Sequence, residues 1–333
     1  MSGDRRNRLY SYRRWSSGLR FGLLLFITTG IAGAIDAPPA RQMAITIDDL
    51  PFVCTTDHSL ETARTITTGL LHWLDHYRIP AIGFVNGNKL FQAGRPAPAR
   101  ADLLRAWLAT GLELGNHTFS HTDLHRTDLS AFAEDLRRGE DALRPILAEY
   151  GRRLRYFRHP CLHTGRDLPT RQAILDLLAE GGCRVAPVTI DNSEWIFSKA
   201  FDRATQRRDH ATAARIGEAY LEYMLAKLAY YEQQSRDLLG RDISQVLLLH
   251  ANRLNARYLG ALLERMAARG YRFVPLDDVL PDPAYGLPDT YTGPAGISWL
   301  HRWAITRGVA PSFFEGEPRT PDFILKLADV AAE

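Results

Sequence analysis

Cysteine is scarce in this 333-residue chain, and its three occurrences, Cys54, Cys161 and Cys183, include no C-x-x-C pair. An odd count at those spacings argues against both a zinc ribbon and a disulfide scaffold. At most one bridge can form, and Cys161 with Cys183 is the pair open to an oxidising compartment, beside the plainer reading of buried free thiols. Internal repeats and low-complexity tracts are also missing; with 45% apolar and 24% charged residues the composition is that of a globular protein with a large core. Excess positive charge is absent from most of the chain. Residues 1–37 hold six Arg against Asp4 and Asp36, a net of +4 beside a whole-chain +3, so residues 38–333 stand at −1 before histidine is counted. The sequence pI of 8.8 therefore comes from the leader, and with no basic stripe left, nucleic acid is excluded as a partner class.

What is present begins with that leader. Arg5, Arg6, Arg8, Arg13, Arg14 and Arg20 precede a nearly unbroken apolar run over 21–35, which ends in small residues. This is the layout of a secretory signal, with cleavage expected at 32–34 or 35–37. A run of 15 residues falls short of the ~20 that span a bilayer, so an uncleaved anchor is the second reading, and membrane contact is expected through this segment alone. Arg13-Arg14 before Trp15 also fits a twin-arginine export route. The protein is expected in the periplasm or outside the cell.

From residue 42 onward, short apolar runs alternate with amphipathic stretches. Strands are expected at 43–47, 81–85, 112–114, 155–157, 184–188, 246–249 and 272–274. Helices are expected at 60–77, 99–110, 129–150, 170–180 and 255–268, with glycines close behind four of them as stop signals. Repeated βα alternation argues for a parallel sheet flanked by helices, doubly wound or closed into a barrel. Residues 197–241 are charged and helical in pattern without a strand, and read as an insertion. Beyond residue 280, Pro and Gly become dense, which predicts an irregular extension over 281–333 with a short helix at 323–331. One catalytic domain over 38–280 accommodates the rest.

In parallel βα folds ligands bind at the C-terminal strand ends. Five polar clusters follow strands directly: Asp48-Asp49, 117–121, 158–160, 191–195 and His250. Adjacent residues on an extended strand point to opposite sides, so Asp48 and Asp49 need not share a job; taken alone, the pair also fits a helix cap or a solvated turn. His117 and His121 stand four apart, on one face of a helical turn or convergent in a tight loop. With a carboxylate they would suit Zn²⁺, although eleven histidines make such a pair unremarkable by itself. His250 ends a very apolar strand, where a hydrogen-bonded core histidine and a general acid are both ordinary. Arg158 and Trp195 are ambiguous singly.

The order of the pieces is more specific than any one of them. Thr46-Ile47-Asp48-Asp49, His117-Thr118-Phe119-Ser120-His121, Arg158-His159-Pro160, Asp191-Asn192-Ser193-Glu194-Trp195 and Leu248-Leu249-His250 resemble, in sequence, the five motifs of the polysaccharide deacetylases, also called carbohydrate esterase family four, with its nodulation-type chitooligosaccharide deacetylase domain. The resemblance implies a distorted (β/α) barrel of about seven parallel strands and one divalent ion, Zn²⁺ first, with Co, Ni, Mn or Fe as alternatives. It implies Asp49, His117 and His121 as metal ligands, Asp48 as general base and His250 as general acid. It further implies Arg158, Asp191 and Glu194 as supporting groups and Trp195 as a pocket wall, with His159 and Pro160 as substrate contacts. Two departures stand out: Leu50-Pro51 follows the first motif where Gly is usual, and Glu194 stands where Asp usually precedes the Trp. The implied activity is acetyl removal from a carbohydrate, with an N-acetylated amino-sugar polymer of the envelope or matrix as substrate. Trp195, Tyr156 and Phe157 are aromatics that could face a sugar, unless they are simply core. A metal-dependent amidohydrolase acting on a small non-sugar amide could use the same residues and is the alternative.

Overall fold

A computed structural model describes residues 41–333; the leader of the chain lies outside the described residues. Seven parallel strands build one sheet: β1 (Arg41–Leu50), β2 (Ile82–Val85), β3 (Glu113–Asn116), β4 (Tyr156–Phe157), β5 (Arg184–Val185), β6 (Gln245–His250) and β7 (Tyr271–Phe273). Between them run α1 (Leu60–His76), α2 (Pro98–Ala109), α3 (Leu129–Ala148), α4 (Leu168–Glu180), α5 (Glu194–Gln206), α6 (His210–Leu239) and α7 (Arg253–Ala268). Side-chain caps start several of them: Ser59, Asp167, Asp209 and Asn252 each accept from a backbone N–H one turn in. α5 and α6 make up the helical insertion. The extension after β7 carries α8 (Leu276–Val279), α9 (Trp299–Thr306) and α10 (Asp322–Ala328). α9 was not expected from its Pro- and Gly-rich surroundings. Among the described residues no helix is long and apolar enough to cross a membrane.

The sheet runs β5-β4-β3-β2-β1-β6, with β7 also paired to β1. The stretch 183–191 brings its two ends together. The Ala186 N–H donates to Phe157 O at one edge, while Thr189 and Ile190 bond Val246 at the other, and Ile190 bridges Leu247. One short span thus serves both edges and closes the sheet into the expected distorted barrel.

Period-two alternation decides what faces the inside. On β1, Met43, Ile45 and Ile47 join the large core beneath the helices, whereas Ala44 packs into an interior cluster with Ile82, Phe84, Tyr156, Ala186 and Val246. Thr46 and Asp48 follow Ala44 at the same spacing, and Leu248 and His250 follow Val246 on β6. Burying both faces explains why these strands read as nearly continuous apolar runs. Tyr156 and Phe157 have no solvent exposure and belong to the core, which removes them as sugar-facing aromatics. All three thiols are free, Cys54 and Cys183 buried and Cys161 exposed, so the Cys161–Cys183 bridge is not formed.

Candidate active site

Asp48 and His250 are lateral partners in the β1–β6 ladder, at the strand ends where both columns leave the barrel interior. Asp49 would point away on a regular strand. Instead the β1–β2 register shifts between Ile47 and Leu50, and Asp49 takes a left-handed backbone, φ 70°. Such an irregularity re-aims a side chain, and Asp tolerates the conformation better than most residues. Both carboxylates therefore reach the same cleft.

His117 and His121 arrive from the loop after β3, not from a helix. Thr118 and His121 have φ of 63° and 56°, and these two left-handed residues curl the loop until the imidazoles meet edge to face, 4.8 Å between centroids. α3 holds the curl. The Asp135 carboxylate accepts from Ser120 N (2.9 Å) and Thr122 Oγ1 (2.7 Å), and its carbonyl accepts from Phe119 N (3.0 Å). Gly139 lets the helix come so close that a Cβ there would collide with Asn116 Oδ1. His117 Nδ1 is 2.8 Å from the Arg158 carbonyl. Donation to that acceptor leaves Nε2 as the ring's free lone pair, the tautomer a metal ligand needs.

Asp49, His117 and His121 bring one ligating atom each to within 4.8 Å of one another, with Asp49 Oδ1 3.9 Å from His121 Nε2. Two imidazoles and a carboxylate suit Zn²⁺ or a similar ion and leave a coordination position open, so the donor set fits the implied metal. Burial alone would raise Asp49, but Lys89, His121, His250 and His117 together hold it well below the usual carboxylate range. Burial pushes both imidazoles down, which favours the neutral form that a metal ligand needs.

Asp48 lies 3.7 Å from His117 Nε2 and 3.9 Å from Arg158, and its Oδ1 is buried without a partner. Burial pushes it up to about 6, against the pull of Arg158 and His250. Arg158 is itself fully buried, anchored by donation to Thr46 Oγ1 (2.9 Å) and stacked over Phe84.

Glu194, at the start of α5, sits beneath His250. Its Oε1 accepts from the His250 N–H (3.0 Å) and lies 3.6 Å from His250 Nδ1, while Asn252 donates to both carboxylate oxygens and Asn255 to Oε1. Burial alone would lower His250; Glu194, with Asp49 and Asp48 behind it, instead holds it up to about 9. Glu194 thus pairs with His250, and among the described residues it makes no hydrogen bond or ion pair to Arg158. Asn192 ties the same turn to β6 by donating to Leu248 O (2.8 Å) and accepting from Glu194 N (3.1 Å). Asp191 makes no hydrogen bond or ion pair to Arg158 or His250 among the described residues; burial pushes it up to about 7 against Lys227. Trp195 is 47% exposed on the first turn of α5.

His159 and Pro160 are buried, His159 stacking on Phe132 and standing edge-on to Phe157. Sequence reading also passed over Lys89, whose Nζ donates to Asp49 O (2.8 Å) and pairs with Asp49 Oδ1 (3.4 Å). The signal was available, since the polar run 86–89 follows β2 just as the other clusters follow their strands.

Residues 36–184 match the family model described as polysaccharide deacetylase, as the motifs implied. The match contains Asp48, Asp49, His117, His121 and Arg158 and stops before Asp191, Glu194 and His250. Among solved structures, the peptidoglycan deacetylase PdaC from Bacillus subtilis is 20% identical, with 73% of this chain and 93% of that one covered and a TM-score of 0.45. A family 4 acetyl xylan esterase from Clostridium thermocellum, in complex with a cobalt ion, is 22% identical over 74% and 93% of the chains, TM-score 0.44. A CE4 family pseudoenzyme from Bacillus anthracis is 13% identical over 73% and 66%, TM-score 0.47.

Proposed function

We propose, from the polysaccharide deacetylase match over residues 36–184, that this protein is a metal-dependent hydrolase that removes acetyl groups from a carbohydrate. The observation that carries the reading is the convergence of Asp49, His117 and His121, with a raised carboxylate at Asp48 on one side and a charged imidazole at His250 on the other. A divalent ion held by those three residues would acidify a water molecule and polarise the acyl oxygen. Asp48, ionised at neutral pH and oriented by Arg158, takes the proton of the attacking water. His250, protonated against Glu194, gives a proton to the departing amine or alcohol, so the acyl group leaves as acetate and the sugar keeps the N–H or O–H.

For substrate we propose an N-acetylated amino-sugar polymer outside the cytoplasm. The basic and apolar layout of residues 1–37 supports export, and Trp195 offers an exposed flat face of the kind sugars stack on. The test is acetate release by metal-loaded protein from short N-acetylglucosamine oligomers and from small non-sugar amides, with Asp48→Asn as control. Release from the oligomers alone, lost in the variant, is expected. Release from the amides alone would transfer the assignment to an amidohydrolase.

A further inference from the structure

We propose that Asp123, Cys161 and His163 form a second metal site at the rim of the cleft, for one borderline divalent ion such as Zn²⁺, distinct from the site of Asp49, His117 and His121. These three residues come from two loops, one just beyond His121 and one just beyond Arg158, yet each brings a ligating atom to within 4.8 Å of the others. A carboxylate, a thiolate and an imidazole are a mixed donor set that suits Zn²⁺ or Co²⁺ and disfavours Mg²⁺ or Ca²⁺, which select oxygen alone.

The side chains are held in place for this before any ion arrives. Cys161 and Leu162 both have φ of 54°, and this turn sends Cys161 out to solvent while Leu162 goes into the core. The turn is backed by the C-terminal extension, because Gly296 lies so close to the Cys161 carbonyl that no side chain fits there. Asp123 accepts from His125 N (2.8 Å), which aims its carboxylate, and Oδ1 lies 2.7 Å from His163 Nδ1. The His163 ring is also stacked on His125, 4.1 Å between centroids and 3° from parallel, so it is not free to turn away. His125 Nε2 in that stack is buried without a partner. The site neighbours the first one: the Asp49 carboxylate bears on the Cys161 thiol and Asp123 bears on His121. An ion here would release the Cys161 thiol proton to solvent and tie the loop of His121 to the turn of Arg158.

Cobalt distinguishes the two sites, since only this one offers an accessible sulfur; Cys54 and Cys183 are buried. The full chain, dialysed against Co²⁺, is expected to hold two ions and to show the near-ultraviolet charge-transfer absorption of a cobalt–thiolate bond. Cys161→Ser should lose that band and one of the two ions. His121→Ala should lose the other ion and keep the band. A wild-type protein without the band, or a band that survives Cys161→Ser, overturns the proposal. Failure of the first site would be read separately, as cobalt content unchanged in His121→Ala.

Discussion

His250 Nδ1 lies 3.6 Å from Oε1 of Glu194, a carboxylate with no exposure to solvent that also accepts from Asn252, Asn255 and the His250 N–H. An ion pair in that setting sets the protonation state of the proposed acid. Glu194→Gln removes the charge and keeps the shape. The basic limb of the kcat/KM profile is expected near pH 9 in the native enzyme and should fall by at least one pH unit in the variant, since burial then acts on the imidazole without its main opponent. An unmoved limb, followed by acetate release from pH 5 to 10, would remove His250 as the titrating acid.

Arg158 is the counterweight on the other side. Arg158→Met leaves Asp48 buried beside no guanidinium, so its pKa should rise above the native value of about 6. The acid limb moves upward, activity at pH 6 falls about tenfold for every pH step the limb climbs, and part of it returns at alkaline pH. Metal content should be unchanged, because Arg158 meets the ligands only through its own carbonyl on His117.

How much of this was legible in the sequence differs from residue to residue. Asp48 and His250 were, because each ends an apolar run and the alternation of β1 and β6 carries both to the inner face. Asp49 was legible as a residue type but not in its direction, which depends on a register shift against β2, a strand over thirty residues away. The direction of His159 was not legible for a related reason. It follows β4, which has only two residues, too few for an alternation to show which way the next side chain points. Glu194 looked like an imperfect substitute, and its fit rests on two asparagines near the start of α7 that no local pattern connects to it. α9 was hidden by the prolines and glycines around it, although its own eight residues are regular and five in succession, Leu300 to Ala304, are buried.

Asp135 supplies a prediction about metal affinity from a residue that touches no ligand. Asp135→Ala loosens the loop 119–122 by removing the acceptor of Ser120 N and Thr122 Oγ1, leaving the bond from Phe119 N to the residue 135 carbonyl. A stability loss of about 2 kcal/mol is expected in urea titration. Metal affinity should weaken as well, since His117 and His121 converge only while the loop is curled. Native affinity with the stability loss would show that the histidines hold their own geometry.

His159 gives a pH dependence unrelated to catalysis. Burial, with Arg302, Arg171 and Arg158 nearby, pushes it down to about 3, against an ordinary value of 6.5 in the unfolded chain. Its contribution is therefore full above pH 6.5 and is lost as pH falls toward 3, because the unfolded chain takes up the proton first. The slope is at most about 1.4 kcal/mol per pH unit. His159→Phe should flatten stability against pH in this window and leave KM unchanged, as expected of a core residue. A raised KM would return His159 to the substrate.

The closure of the barrel by 183–191 sets a condition on how the protein can breathe. Arg158 directly follows β4, on one side of that seam, while His250 ends β6 on the other, and the amides of Ala186, Thr189 and Ile190 are the stitches between them. Parting the seam would separate Arg158, beside the proposed base, from His250, the proposed acid, with the helices outside still packed. Inactivation can then run ahead of unfolding on heating or in mild denaturant. Those three amides should be the strand amides that surrender their protons to deuterium earliest.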